Sequence, residues 1–271
     1  TILMENGTGT ASLTLTFSGL ARQQGSLVLQ HTGAGTLGNV GGTGSRIYIT
    51  GLADGFVPWA TFNSTNFAWY SAADGGLTSM VPPTVEFDGG ANQAGQHVKF
   101  TAGNTTYQLD NDRTVESLTI TPSGASQYLD VWGNTLTIAQ GGVLQNGNTV
   151  FLIDDTLGGG QITGSGLLFN VASATATMRV NAVIGGSEFS KEGAGTMILL
   201  ANAATTDRTR IGGGTLQLGN NSTAGMVGPA GSGGPNDVCS TVCPPMRATD
   251  PAARAPFGAA SRYWRKYSCD C

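Results

Sequence analysis

The sequence predicts an all-β chain, in the main a right-handed parallel β-helix, and three observations carry that expectation. The first is composition: 42 of the 271 residues are glycine and only 11 % are charged, about double and less than half the shares usual in globular domains. Threonine, serine, asparagine and glutamine take the place of the missing charges, and they suit β surfaces and turns better than helix faces. The second is alternation. Leu13/Leu15/Phe17 and Leu27/Leu29 are typical of short apolar runs that recur between glycine or asparagine corners, the period of half-buried strands. The third is spacing. Met197-Ile198-Leu199-Leu200 and Thr215-Leu216-Gln217-Leu218 follow the corners Gly193-Ala194-Gly195-Thr196 and Gly212-Gly213-Gly214-Thr215. These corners lie about twenty residues apart, one rung of a solenoid. Strands this short make no independent hairpin, but each can stack on its equivalent in the next coil.

The same composition excludes several classes. The glycines have no G-X-Y period, so collagen is out. A net charge of −4 and a pI near 5.0 provide no basic stripe, and nucleic acid is not an expected partner. No apolar run approaches ~18 residues, so no transmembrane helix is expected. The chain starts at Thr1 without a methionine or a charged leader, and is expected to be a segment of something longer.

Taken in order, residues 1–80 read as a β-rich segment. SLTLTFSGL, GSLVLQHTG and SRIYITG are strands between glycine turns, and the most aromatic stretch of the chain follows, from Pro58-Trp59 to Trp69-Tyr70. Residues 81–225 read as the solenoid proper. Thr84–Phe87 and His97–Phe100 are weak strands; RTVESLTI, NTLTI, GGVLQNG, TVFLIDD, GQITGSGLLFN and ATMRVNAVIGG are clearer ones. Stacked parallel rungs are expected from about Thr114 to Leu218. Leu118, Ile120, Leu136, Ile138, Leu144, Val150, Leu152, Leu167, Phe169, Met197, Leu199, Leu216 and Leu218 are expected to point inward. Low charge fits this arrangement, because like residues on successive rungs lie only ~4.8 Å apart.

Residues 226–271 break the pattern: a GPAGSGGPND linker, then an irregular Pro/Arg/Cys-rich tail without period-2 alternation. All four cysteines, Cys239, Cys243, Cys269 and Cys271, lie there. One reading is a small disulfide or metal-binding tail; the other, preferred, is a tail not native to the repeat. The cysteine-free β region suits folding outside the cytosol without disulfides.

SKEGAGTMILL and RIGGGTLQLG closely match the two ends of a known repeat, and the stretch resembles the autotransporter-associated (passenger-associated) β-strand repeat family. Between them, Ala203-Ala204-Thr205-Thr206-Asp207 departs from the family's usual Asn-Thr-Tyr-Thr-Gly turn. Pro58-Trp59-Ala60-Thr61 with Asn63 and Asn66-Phe67-Ala68-Trp69-Tyr70 resembles a "WATVNGTDFA-Y" element of large β-repeat surface proteins. The order TVESLTI, LDVWGNTLTI, GGVLQNG, GGQITGSG follows a layout that in the family runs roughly TVNSLTL, LDLGGNTLTI, GGVLQNG, GGQITSG. The resemblance covers about residues 51–225. It implies an extracellular or cell-surface bacterial protein, structural or adhesive, without catalysis or cofactor. Its implied partners are neighbouring β-repeat units of the same or other chains, and surface polysaccharide.

Polysaccharide-degrading enzymes also use parallel β-helices, so the alternative is a β-helical polysaccharide-binding or polysaccharide-degrading enzyme. Such catalysis needs several acids on adjacent rungs with a histidine and a basic residue beside them. Asp154-Asp155 is the acidic doublet available, without companion Gly-His-Gly or Arg-Ile-Lys elements; His31 and His97 have no such context. A solvated corner is the expectation, and exchanging both aspartates for asparagine is expected to change stability little. Asp110 and Asp112 with Asn111 offer oxygen ligands at a spacing that suits calcium, but a polar turn before a strand is the preferred reading. No metal site is expected. Trp59, Trp69 and Tyr70 are the candidate carbohydrate-stacking residues; the competing and preferred role for this cluster is packing at the junction of two β units.

Overall fold

The computed structural model describes residues 2–6, 14–19, 26–33, 37–38, 44–80, 85–88, 90–101, 106–122, 127–205, 208–219, 226–227 and 238–240. Among these residues every regular element is a strand and none is a helix. The N-terminal seven are β1 (Ile2–Asn6), β2 (Thr14–Phe17), β3 (Leu27–Gly33), β4 (Arg46–Ile49), β5 (Gly55–Phe62), β6 (Asn66–Ser71) and β7 (Gly76–Ser79), joined in one sheet. β1, β3 and β5 stack in parallel, and so do β2, β4 and β7. Coils are therefore already being laid on one another here. β6 then bridges the two ladders, pairing antiparallel with both β5 and β7. The reversal is local chemistry: Asn63 and Ser64 hold φ of 49° and 58°, and the Thr65 N–H donates to the Phe62 carbonyl at 3.0 Å. Positive φ at both central residues gives the primed turn whose twist suits a hairpin. Leu29, Ile47, Ile49, Val57, Ala68, Tyr70 and Leu77 fill the core of this unit.

From β8 (Val85–Glu86) onward the strand pairings described are parallel. This part is a parallel β-solenoid with three faces that the chain visits in turn. The first face stacks β10 (Thr106–Gln108), β12 (Gln127–Asp130), β14 (Val150–Asp154), β17 (Thr177–Val180), β20 (Thr196–Leu199) and β23 (Thr215–Leu218). The second holds the leading halves of β11 (Arg113–Ile120) and β13 (Thr135–Gln145), then β15 (Gln161–Thr163), β18 (Val183–Ile184), β21 (Asn202–Ala203) and β24 (Met226–Val227). The third holds β8 and β9 (His97–Phe100), the trailing halves of β11 and β13, then β16 (Leu167–Val171), β19 (Phe189–Glu192), β22 (Thr209–Ile211) and β25 (Val238–Ser240). β13 serves two faces by bending at Gly141 (φ 76°), where a Cβ would stand 2.3 Å from the Gly166 carbonyl oxygen; only glycine fits.

The repeat expected from the two glycine corners is realised in register. Thr196 pairs with Thr215 and Leu199 with Leu218, nineteen positions on in each case. Gly193 (φ 77°) and Gly214 (φ 64°) supply the left-handed corners, and a Cβ on Gly214 would meet the Gly195 carbonyl at 2.2 Å. Inside, like stacks on like: Leu129, Ile153, Val180 and Leu199 form one column, and Leu136, Ile162, Ile184 and Ala203 another. The residues of both columns are buried. At ~1.5–3 kcal/mol for each fully buried large aliphatic side chain, these columns are the main favourable term of the fold.

Three expected inward positions are corrected, and a fourth is buried elsewhere. In β14 the inward residues are Phe151 and Ile153, both 0 % exposed, whereas Val150 is 41 % exposed and Leu152 is half-buried. Four consecutive apolar residues leave the phase open in sequence; register decides it, setting Ile153 against Leu129 and Phe151 against Met178. Leu218 is 48 % exposed, because among the described residues no strand follows β23 on its face. Leu144 is buried, but on the outer surface: it packs with Phe67 and Met80 of the N-terminal unit. Of the tail, Val238–Ser240 pairs with Thr209–Ile211, a strand that its composition does not announce; three residues suffice to extend an existing ladder. Cys243, Cys269 and Cys271 lie outside the described residues.

Candidate functional surface

The acidic residues singled out in the sequence sit at the corner between the first and second faces, and their oxygens face backbone N–H groups. Asp155 accepts from Gly133 N–H at 2.8 Å and Gly158 N–H at 3.2 Å through Oδ1, and from Gly160 N–H at 2.7 Å through Oδ2. Gly133 belongs to the preceding coil, so the carboxylate bridges rungs. Asp154 accepts from its neighbour's N–H at 2.9 Å and from Asn181 Nδ2 in the following coil at 2.7 Å. Asp130, buried, accepts from Trp132 N–H at 2.9 Å and, one coil on, from Thr156 N–H at 3.1 Å and Thr156 Oγ1 at 2.5 Å. Asp112 accepts from Thr135 N–H at 2.7 Å, while Asp110 pairs with Arg113. Asp112, Asp130, Asp154 and Asp155 thus staple coil to coil. Asparagine at 154 and 155 removes acceptor capacity from this set, which replaces the expectation that the double exchange is nearly neutral. Among the described residues no group of three or more His, Cys, Asp or Glu side chains is placed to hold a metal ion.

The aromatic cluster does not form one exposed platform. Tyr70 is 4 % exposed and its hydroxyl donates to the Ile49 carbonyl at 3.0 Å while accepting from the Ile49 N–H at 3.3 Å. Trp59 packs against the same core. Trp69, on the opposite side of β6 by strand alternation, is 36 % exposed and meets His97 edge-on at 6.4 Å. Phe56 and Phe67, their rings 4.9 Å apart, sit on the outer surface of the solenoid's third face over Gly142. A Cβ at Gly142 would lie 2.8 Å from Phe56 Cζ, so the close approach of the hairpin depends on that glycine.

Three residues have surroundings that the sequence reading does not assign them. Lys191 is fully buried; its ammonium donates to the carbonyls of Glu192 at 2.7 Å, Gly193 at 3.1 Å and Gly213 at 3.1 Å, lacing two successive glycine corners together. Burial pushes its pKa down to about 8, against the pull of Glu192. The available signal is alternation: Phe189-x-Lys191 puts the lysine on the inward side, stacked on Phe169. His97 places Nδ1 2.8 Å from Ser117 Oγ, a pairing that only stacking twenty residues apart creates. Ser117 is 0 % exposed, which denies it the access a nucleophile needs. Trp132 is 38 % exposed at φ 50°, a left-handed backbone uncommon for a bulky residue, in a turn closed by Asn134 N–H donating to the Val131 carbonyl at 2.8 Å.

Comparison of the chain with protein-family models, with curated proteins and with solved structures returned no match.

Proposed function

We propose that this chain is a structural, adhesive segment of an extracellular bacterial surface protein of passenger type, and that it acts by presenting a stacked coil rather than by catalysis. One observation carries the reading: the acidic doublet that a β-helical polysaccharide-degrading enzyme would need holds rungs together, Asp155 accepting from three backbone N–H groups and Asp154 from Asn181 in the next coil. A carboxylate held as Asp155 is makes a poor general base, because three of its about four lone-pair sites are occupied and its orientation is fixed toward the backbone. The sequence resemblance across residues 51–225 supports the surface setting, and the polar, weakly charged exterior suits stacking against neighbouring repeat units.

The test is twofold. Purified protein is incubated with uronans and neutral glucans while new reducing ends are followed; none is expected. Cleavage by the wild type that disappears in Asp154→Asn/Asp155→Asn, with that variant still folded, overturns the reading in favour of an enzyme. Separately, protease shaving of cells that express the parent protein should release peptides of this segment, and their retention inside intact cells contradicts a surface role.

A further inference from the structure

We propose that His97 makes the seam between the aromatic hairpin and the solenoid acid-labile, so that the hairpin loosens from the third face as the imidazole becomes protonated. The seam is built from β5 and β6 on one side and β9, β11, β13 and the end of β16 on the other. Phe67, Met80 and Leu144 are its buried centre, with Phe56 and Ala172 packed against them. At its margin Asn146 Nδ2 donates to the Thr65 carbonyl at 2.6 Å. His97 is half-buried within it, its ring centroid 4.7 Å from Phe56 and 6.4 Å from Trp69. Its imidazole is an ionisable ring in direct contact with two aromatic rings of the hairpin.

The charges around it are few. Glu116, on β11, is the carboxylate acting on His97, and it already accepts from Gln140 Nε2 at 2.8 Å. Lys99, two residues along β9, is committed to Glu86 at 3.2 Å. The hairpin brings none, since Gly55 to Ser71 contains no acidic or basic residue. A protonated imidazole would therefore face two aromatic rings and the Ser117 hydroxyl, with Glu116 alone in compensation. Burial accordingly holds the His97 pKa below its ordinary 6.5, and Glu116 offsets that in part. The sign follows: the docked hairpin binds fewer protons than the released one, so docking is complete above about pH 6.5 and is lost as pH falls through the lower docked value. Charge–ring attraction at Phe56 opposes this, but a partly desolvated cation costs more than one such contact returns.

The experiment is hydrogen exchange of the full chain between pH 7.5 and pH 4.5, corrected for the intrinsic rate, in a His31→Gln background that leaves His97 as the single histidine. Amides of residues 55–80 should lose protection at least tenfold on acidification, while those of β17 to β22 hold theirs. In His97→Gln, neutral at every pH, that differential loss should vanish. Equal acid sensitivity in His97→Gln, or simultaneous opening of hairpin and solenoid, overturns the proposal. Should the glutamine variant not fold, the NMR titration of the His97 ring decides instead: a midpoint below 6.5 supports the proposal and one above 6.5 refutes it.

Discussion

Replacing Asp155 with alanine tests whether the corner carboxylates are staples. Three N–H groups lose their acceptor: Gly133, Gly158 and Gly160. Gly133 and Gly158 are exposed and can turn to water, whereas Gly160 is buried, and the cost concentrates there. An orphaned buried N–H costs about 1–3 kcal/mol, and bonds to a charged acceptor are at the upper end of the net hydrogen-bond scale. With a smaller contribution from the two rehydrated amides, the variant should lose about 2–3 kcal/mol. Asparagine, which keeps one acceptor oxygen, should lose about half of that. Urea unfolding followed by far-ultraviolet circular dichroism gives the difference, provided the m-value is unchanged. Exchange at the Gly160 amide gives its location. A loss under about 0.5 kcal/mol with Gly160 still protected would refute the staple and reopen a catalytic reading of the doublet.

Two further outcomes follow from register and burial. Phe151→Ala should destabilise by about 3–5 kcal/mol through a cavity in the column it shares with Met178, while Val150→Thr, on the exposed side of the same strand, should stay within about 0.5 kcal/mol; comparable urea midpoints for the two would show the strand phase to be wrong. Lys191 has its pKa at about 8 in the fold against an ordinary 10.5, so the unfolded chain holds that proton longer and the stability contributed by Lys191 rises between those values, by ~3 kcal/mol at 1.36 kcal/mol per unit. The unfolding free energy of the wild type minus that of Lys191→Met, measured from pH 7.5 to pH 10.5, should climb accordingly, and a flat difference would contradict the burial that causes it.

What was legible in the sequence was whatever one strand or one corner decides by itself. Met197 and Leu199 alternate with polar or outward positions and follow a glycine corner, and they point inward as read; so do Leu118, Ile120, Leu136 and Ile138. Val150 to Ile153 carry no alternation, and the phase was fixed by neighbours twenty-odd residues away. The same reason hid the chemistry of the surface. Asp155 meets Gly133, His97 meets Ser117 and Lys191 meets Gly213 only because coils of 19 to 27 residues stack in one particular register. The hairpin was hidden twice over: its tip depends on Asn63 and Ser64 both accepting positive φ, and its landing place depends on an outward leucine, Leu144, that looks identical in sequence to an inward one.

Register is also what a single measurement can test. In a background with Cys239, Cys243, Cys269 and Cys271 changed to serine, cysteine pairs are introduced along the column Thr177, Thr196, Thr215, whose members are successive register partners. Adjacent rungs set Cα atoms ~4.8 Å apart, within the 4.4–6.8 Å span of a disulfide, and two rungs set them ~9.6 Å apart, beyond it. Under mild oxidation Thr177→Cys/Thr196→Cys and Thr196→Cys/Thr215→Cys should cross-link in the folded monomer, and Thr177→Cys/Thr215→Cys should not, as read by mass after alkylation. Cross-linking of the 177/215 pair with failure of the adjacent pairs would contradict the stacked parallel coil on which the staples, the lysine clamp and the hairpin seam all depend.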